Sequence, residues 1–239
     1  MNQYIPAIIT ASVALLAAIG AQFLSHFLNS KREKNKEKSE VYQEFIYPFL
    51  PEVLLYYHTE TNFRKGHDVE KEVSLNSLLE KISLKVSYGN MKLLTYYYEA
   101  RKYEYFFDGR GWSKERNLLR FLFWFLDYSA NILKGMKPRE EEMYKEVIKT
   151  QKLYGIWVLV SEELEFDNSI EFMKYDFLLS DQFLKEINLK RLKKLVDNDF
   201  PQDDDRIRLL KEIISVFEEE DIGTFPILDE LKEHIERNH

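Results

Sequence analysis

The chain has 239 residues, a formal net charge of −7 at neutral pH and no cysteine. The lack of cysteine excludes a disulfide framework, a thiolate metal site and a cysteine nucleophile. Leu, Ile, Phe and Tyr are abundant beside Lys and Glu, which excludes a wholly disordered chain because there is enough apolar surface to build a core.

The N-terminal segment, residues 1–30, contains no Asp, Glu, Lys or Arg. Its apolar run IPAIITASVALLAAIGAQFLSHFL is long enough, at about 1.5 Å per residue, to cross about 30 Å of hydrocarbon. The length of the run and its uncharged start favour a membrane anchor over a cleaved signal peptide or a buried core helix. We therefore predict a single transmembrane helix over about residues 5–28.

The basic sequence KREKNKEK follows directly, and nothing basic precedes the apolar run. Flanking Lys and Arg residues are retained on the cytoplasmic side of a membrane. The pattern therefore predicts a single-pass protein of the cell membrane, with its N-terminus outside and all later residues in the cytoplasm.

Small residues in the span recur at alternating steps of four and three, which places them on one helical face. This small-residue seam comprises Ala7, Ala11, Ala14, Ala18, Ala21 and Ser25. Small residues at such spacing let two membrane helices approach closely, so we expect a homo-oligomer. Gln22, Ser25 and Asn29 lie on or near this face and would line a pore if the helices surrounded one. The alternative is that alanine is simply common in membrane spans.

The remaining sequence predicts an all-α fold. Residues 31–58 form a charged stalk and an amphipathic helix, which Pro48 and Pro51 are expected to kink or divide. Residues 59–200 form a helical cytoplasmic domain. Residues 201–239 form an acidic helical tail.

Within the domain, helices are expected at about 73–88 and 91–107, with FDGRGW as a turn after them. The next helix opens at Ser113 and contains LLRFLFWFLDYSANIL, which is apolar nearly all round and is the candidate for the buried centre. It is too short and, with Arg120 and Asp127, too charged for a second membrane span.

Three further helical regions complete the prediction. The acidic turn Glu140–Glu142 begins a helix that ends near Leu164, and Asn168 or Ser169 caps another that ends near Ile187. The sequence NDFPQDDD is expected to link the domain to two helices in the tail.

Four side chains close in sequence invite a metal-site hypothesis: His58, Glu60, His67 and Asp68. Their spacing matches no defined motif, so we predict no metal and no cofactor. Arg64 with His67 is similar to the Arg and His pair of helical RNases, although Gly66 between them indicates a loop.

Two basic stretches are candidates for contact with anionic lipid or with a ligand. They comprise Lys31, Arg32 and Lys34 beside the span, and Lys190, Arg191, Lys193 and Lys194 in LKRLKKL. The alternative for the second stretch is a solvated helix face. Nucleic acid is not expected as a partner, since residues 197–239 carry 14 acidic and 5 basic side chains.

No nucleophile elbow, metalloprotease motif or phosphate loop is present, so a non-enzymatic protein is expected. The leading hypothesis is a membrane effector or sensor, in its sharpest form an oligomeric pore gated by the cytoplasmic domain. The alternatives are a single-pass scaffold that binds a cytoplasmic protein or small ligand, and a membrane-tethered helical hydrolase or nuclease. The layout resembles that of membrane-anchored proteins of Gram-positive bacteria and their mobile elements, and this resemblance implies a role in phage or plasmid conflict.

Overall fold

The computed structural model describes residues 4–102, 105, 113–136, 141–197, 204–219 and 226–238. Every regular element in these ranges is a helix, so the predicted all-α class is confirmed. The predicted turn FDGRGW, and the predicted linker as far as Asp203, lie outside the described residues.

The predicted span is the first part of a longer continuous helical segment. Helix α1 runs over Tyr4–Val41, continues through a π-helical turn at Tyr42–Ile46, and leads without interruption into α2 at Tyr47–Glu60. In the π-turn the N–H of Tyr47 donates to the carbonyl of Tyr42, five residues back. This wider turn accommodates Pro48, which has no N–H to donate and whose ring would crowd a regular helix. The prolines therefore do not divide the helix.

Ten further helices complete the described fold. They are α3 (Lys65–Asp68), α4 (Leu75–Ser83), α5 (Met91–Lys102), α6 (Ser113–Leu133), α7 (Glu141–Glu163), α8 (Phe166–Met173), α9 (Asp181–Glu186), α10 (Leu189–Asp197), α11 (Asp204–Glu219) and α12 (Pro226–Asn238).

The helix predicted from Asn168 or Ser169 to Ile187 is wrong in its boundaries. The chain forms two shorter helices here, α8 and α9, separated by a 3₁₀ turn at Asp176–Leu178. Ser180 caps α9, because its hydroxyl accepts a hydrogen bond from the N–H of Phe183. This second cap explains why the segment restarts rather than continuing.

The core is built around α6 and α7, which pack along each other. Every residue over 117–126 of α6 is buried, as the apolar run predicts, and so is every residue over 150–161 of α7. Aromatic side chains fill the space between α2 and α7: the ring of Tyr56 stacks on Trp157, and the hydroxyl of Tyr154 donates to the carbonyl of Val53 at 2.9 Å. Helix α2 is thus fixed to the centre of the domain.

The acidic tail docks on the domain through apolar and ionic contacts. Phe217 of α11 stacks on Phe172 of α8 with ring centroids 4.8 Å apart. Arg206 of α11 forms ion pairs with Glu162 at 2.6 Å and Glu163 at 2.7 Å, and all three side chains are at most 4% exposed. Arg120 of α6 contacts the second carboxylate oxygen of Glu162 at 2.7 Å. Buried charges therefore join α6, α7 and α11.

Candidate functional site

The apolar part of α1 projects away from the domain. Every described side chain over 12–29 is exposed, including large apolar ones. The most exposed of these are Val13, Leu15, Leu16, Phe23, Leu24 and Phe27. In the described part of the chain, α1 with its continuation is the one helix long and apolar enough to cross a membrane.

The described side chains of the small-residue seam are not covered by any other described part of the chain. Ala14, Ala18, Ala21 and Ser25 are exposed, as are the polar Gln22 and Asn29. The side chains of Ala7 and Ala11 lie outside those that the structure describes. The seam is therefore free to contact lipid or another protein along its described length.

A groove of about 630 Å³ lies where α1 leaves its apolar part and passes the end of α6. The wall from α1 carries Lys31, Lys34 and Lys38, and the wall from α6 carries Tyr128 and Ile132. The other lining residues are Phe27, Ser30, Asn35, Glu37 and Val41. We call this space the stalk groove.

The two walls of the stalk groove are held in place by polar contacts. The hydroxyl of Tyr128 donates to the carbonyl of Tyr88 at 2.8 Å, and burial, with Glu37 nearby, raises the pKa of Tyr128. Lys38 reaches the end of α6, since a Cβ placed on Gly135 would lie 3.1 Å from its Nζ. A cation is favoured there, because the last carbonyls of a helix carry partial negative charge.

The stalk groove separates the basic residues that the sequence predicted as one cluster. Lys31 and Lys34 line it, together with Lys38, which the prediction did not single out. Arg32 is exposed and is not among the lining residues. Sequence reasoning missed the α6 wall; the one signal for it was that Lys31, Lys34 and Lys38 share a helical face.

The predicted basic patch of α10 is partly used inside the fold. Arg191 pairs with Asp205 at 3.1 Å and lies 3.6 Å from Glu212, while Lys193 pairs with Asp127 of α6. These ion pairs fix α10 against α6 and α11, whereas Lys190 lies on the exposed side. Two of the four predicted contact residues therefore hold the domain together.

The histidines considered as metal candidates lie at the end of α2 and in α3. The expectation of a loop around Gly66 is wrong, since Lys65–Asp68 forms one helical turn. His58 Nε2 is 3.4 Å from Glu146 Oε1, and His67 Nδ1 is 2.9 Å from Asp68 Oδ1. Arg64 Nη2 lies 3.2 Å from the same nitrogen of His67. Among the residues that the structure describes, no group of three His, Asp or Glu side chains is arranged to hold a metal ion.

A shallow pocket of about 250 Å³ brings His58, Arg64, Asp68 and Lys174 together with Asp176. Burial raises the pKa of the Asp176 carboxyl, although the hydroxyl of Tyr57 donates to it at 2.7 Å and His58 and Lys149 are nearby. The pocket combines cations and carboxylates, and of the four side chains considered for a metal site it is lined by His58 and Asp68, whereas Glu60 and His67 do not line it.

A second basic groove, of about 450 Å³, lies between α7 and α9 and was not predicted. Lys152 lines it with only 9% of its surface exposed, and its Nζ donates to the carbonyl of Leu184 at 2.6 Å. Burial lowers the pKa of Lys152. Since Lys149 pairs with Asp181 at 2.8 Å, the main role of these lysines in the fold is to hold α9.

No known family model, curated protein or solved structure matches the chain. Function is therefore argued from the geometry of the chain itself.

Proposed function

We propose that the chain is a single-pass membrane protein, anchored by the apolar part of α1, that acts without catalysis as an oligomeric effector or sensor. Its N-terminus lies outside the cell and its helical domain lies in the cytoplasm. Copies associate through the small-residue seam, and the domain recognises a cytoplasmic protein or small ligand.

One observation carries the proposal: a helix that is anchored in the core at one end leaves its apolar part wholly uncovered. The side chains over 12–29 are exposed, while Phe45 and Ile46, in the π-turn that follows the same helix, are fully buried. Burying one large apolar side chain is worth about 1.5–3 kcal/mol. For the exposed large apolar side chains over residues 12–29 together, the free energy of transfer from water into an apolar phase is therefore favourable by more than about 10 kcal/mol.

The continuity of the helix suggests how the span and the domain communicate. A tilt or rotation of α1 in the membrane passes through the π-turn into α2, because no loop intervenes. Helix α2 contacts the centre of α7 through Tyr56 and Tyr154. Rearrangement of the seam between copies would thus be transmitted to the core of each domain, and π-turns are frequent at such functional sites.

The same geometry supports the pore form of the proposal. Gln22, Ser25 and Asn29 are exposed near the cytoplasmic end of the apolar part. Polar side chains inside a membrane favour a protein-facing or water-facing position over lipid. If the seams of several copies face one another, these three side chains line the space between them.

The self-association part is tested by the mass of the full-length protein in detergent. Replacing Ala14 and Ala18 by isoleucine should separate the oligomer into monomers, because the added side chains block close helix approach. Ser12→Ile is the matched control, since residue 12 lies on the opposite, lipid-facing side of the helix at about 100° per residue.

An oligomer that survives Ala14→Ile with Ala18→Ile would contradict association through the seam. For the pore form, cells that overexpress the native chain should leak ions, and cells that express this double variant should not. Equal leakage from both would contradict the pore while leaving the anchor in place.

A further inference from the structure

The stalk groove is positively charged on its open side. Three lysines and one glutamate line it, which leaves a formal charge of +2. Within the described part of the chain, no carboxylate lies within 4 Å of the ammonium groups of Lys31, Lys34 or Lys38. The lysine side chains are exposed, so an anion can reach them.

The position of the groove along α1, just beyond the apolar part of the helix, indicates which kind of anion it would meet. Lys31 and Lys34 follow Leu28, the last large apolar residue, by three and six residues. At about 1.5 Å per residue they lie roughly 4.5 and 9 Å beyond the hydrocarbon edge, which is the level of lipid headgroups. Lys38 lies farther out and is directed to the end of α6.

The lining also matches the parts of a phospholipid. Phe27, which lines the groove from the apolar part of α1, is exposed to contact acyl chains, and Ile132 of α6 is an apolar lining residue on the other wall. Ser30 and Asn35 provide hydroxyl and amide groups beside the lysines. A volume of about 630 Å³ is sufficient for a phosphate with its glycerol unit.

We propose that the stalk groove binds the phosphate headgroup of an anionic phospholipid, held by Lys31 and Lys34 between α1 and the end of α6. This inference rests on the proposed membrane anchor. A lipid bound there would contact the span and the domain at once, so the stalk would be held against α6 more firmly in a membrane rich in anionic lipid.

The test uses the full-length protein in zwitterionic detergent, titrated with phosphatidylglycerol or phosphatidylcholine of the same acyl chains. Bound lipid is counted by native mass spectrometry. We expect phosphatidylglycerol to bind about thirtyfold more tightly, since two basic groups near a membrane surface give a difference of this order. Lys31→Gln with Lys34→Gln should remove this preference.

Arg32→Gln with Lys36→Gln is the matched control. It removes the same charge from the same stretch of α1, but neither residue lines the groove. This control should keep the preference for phosphatidylglycerol. Equal loss in both double variants would overturn the site, because it would show attraction to the general charge of the stalk.

Two further outcomes are decisive. Glycerol 3-phosphate that displaces phosphatidylglycerol at equal concentration would overturn the lipid assignment in favour of a soluble phosphate. A native chain without any preference for phosphatidylglycerol would overturn the site. Flotation of the full chain with neutral phosphatidylcholine vesicles tests the anchor separately, because failure to float would contradict the proposed function itself.

Discussion

Arg206 of α11 places its guanidinium 2.6 Å from the carboxylate of Glu162 of α7, at a point where the side chains are 3% and 4% exposed. The same guanidinium contacts Glu163 and lies 3.3 Å from the carbonyl of Leu159. A single positive charge from the tail is thus shared by two buried carboxylates of the central helix, so we expect the docked tail to stabilise the domain.

Arg206→Ala should therefore be strongly destabilising. The variant takes one cation away from both Glu162 and Glu163, and only the cations of α6, Arg120 and Arg116, remain near Glu162. Breaking a buried ion pair in this way costs about 3–5 kcal/mol. Chemical denaturation of the detergent-solubilised chain, followed by tryptophan fluorescence, measures the change. Arg208→Ala is the control on the same helix: its side chain is 67% exposed, and its loss should cost less than about 1 kcal/mol. Similar losses in the two variants would contradict the docked tail.

Gly155→Ala tests the packing of α10 on α7. A Cβ at residue 155 would lie 2.6 Å from Leu192 Cδ2 and 3.0 Å from Phe123 Cε2. Alanine normally stabilises a helix interior by about 1 kcal/mol relative to glycine, but here overpacking should make the variant about 1–3 kcal/mol less stable.

Two comparisons check this explanation with the same denaturation measurement. Gly66→Ala should be neutral or stabilising by up to about 1 kcal/mol, since residue 66 lies in α3 and a Cβ there meets nothing within 4 Å. Adding Leu192→Ala to Gly155→Ala should cost less than the sum of the two single changes, because the new methyl group occupies part of the space that leucine leaves. A stabilised Gly155→Ala variant would show that α10 does not pack closely here.

Asp176→Asn should change the pH dependence of stability. Because burial raises the pKa of Asp176 above its ordinary value of 3.8, the folded state keeps its proton at pH values where the unfolded state has lost it. The contribution of Asp176 is therefore fully present below pH 3.8 and is lost as pH rises through the raised pKa. The amide of asparagine still accepts the hydrogen bond from Tyr57 but cannot ionise, so the variant should gain stability relative to the native chain as pH rises through this window.

Asp181→Asn should change stability with pH in the opposite direction, measured in the same experiment. The hydrogen bond from Lys149 lowers the pKa of Asp181, so its contribution is present above the ordinary value of 3.8 and is lost as pH falls through the lowered pKa. This variant should lose stability relative to the native chain as pH rises. Unfolding curves at several pH values give the stability of each variant relative to the native chain as a function of pH. If this difference changed in the same direction for both variants, the buried environment of Asp176 or the ion pair of Asp181 would be contradicted.

The sequence was sufficient for the helical class and for the buried run of α6, because each depends on a local pattern. It was not sufficient to identify α7 as an equal part of the core, since Lys152 and Glu163 make that helix appear half-polar until their partners are known. The partners are Leu184 of α9 and Arg206 of α11, which are distant in sequence.

The candidate sites illustrate the same limit. The basic stretch of α10 was predicted as one surface, but Lys193 pairs with Asp127 because folding brings α10 beside α6. The lysines after the span were predicted from charge alone. Lys31 and Lys34 line the stalk groove, whereas Arg32 does not. This difference depends on the position of α6, which the sequence pattern does not give.

The central claim is that α1 crosses the membrane with the domain in the cytoplasm, and single introduced cysteines test it most directly because the native chain has none. Asn2→Cys and Ser215→Cys are labelled in intact bacterial cells with a membrane-impermeant maleimide, and again after the cells are disrupted. We predict that Asn2→Cys is labelled in intact cells, whereas Ser215→Cys is labelled only after disruption. Labelling of Ser215→Cys in intact cells, or of neither residue until disruption, would contradict the claim.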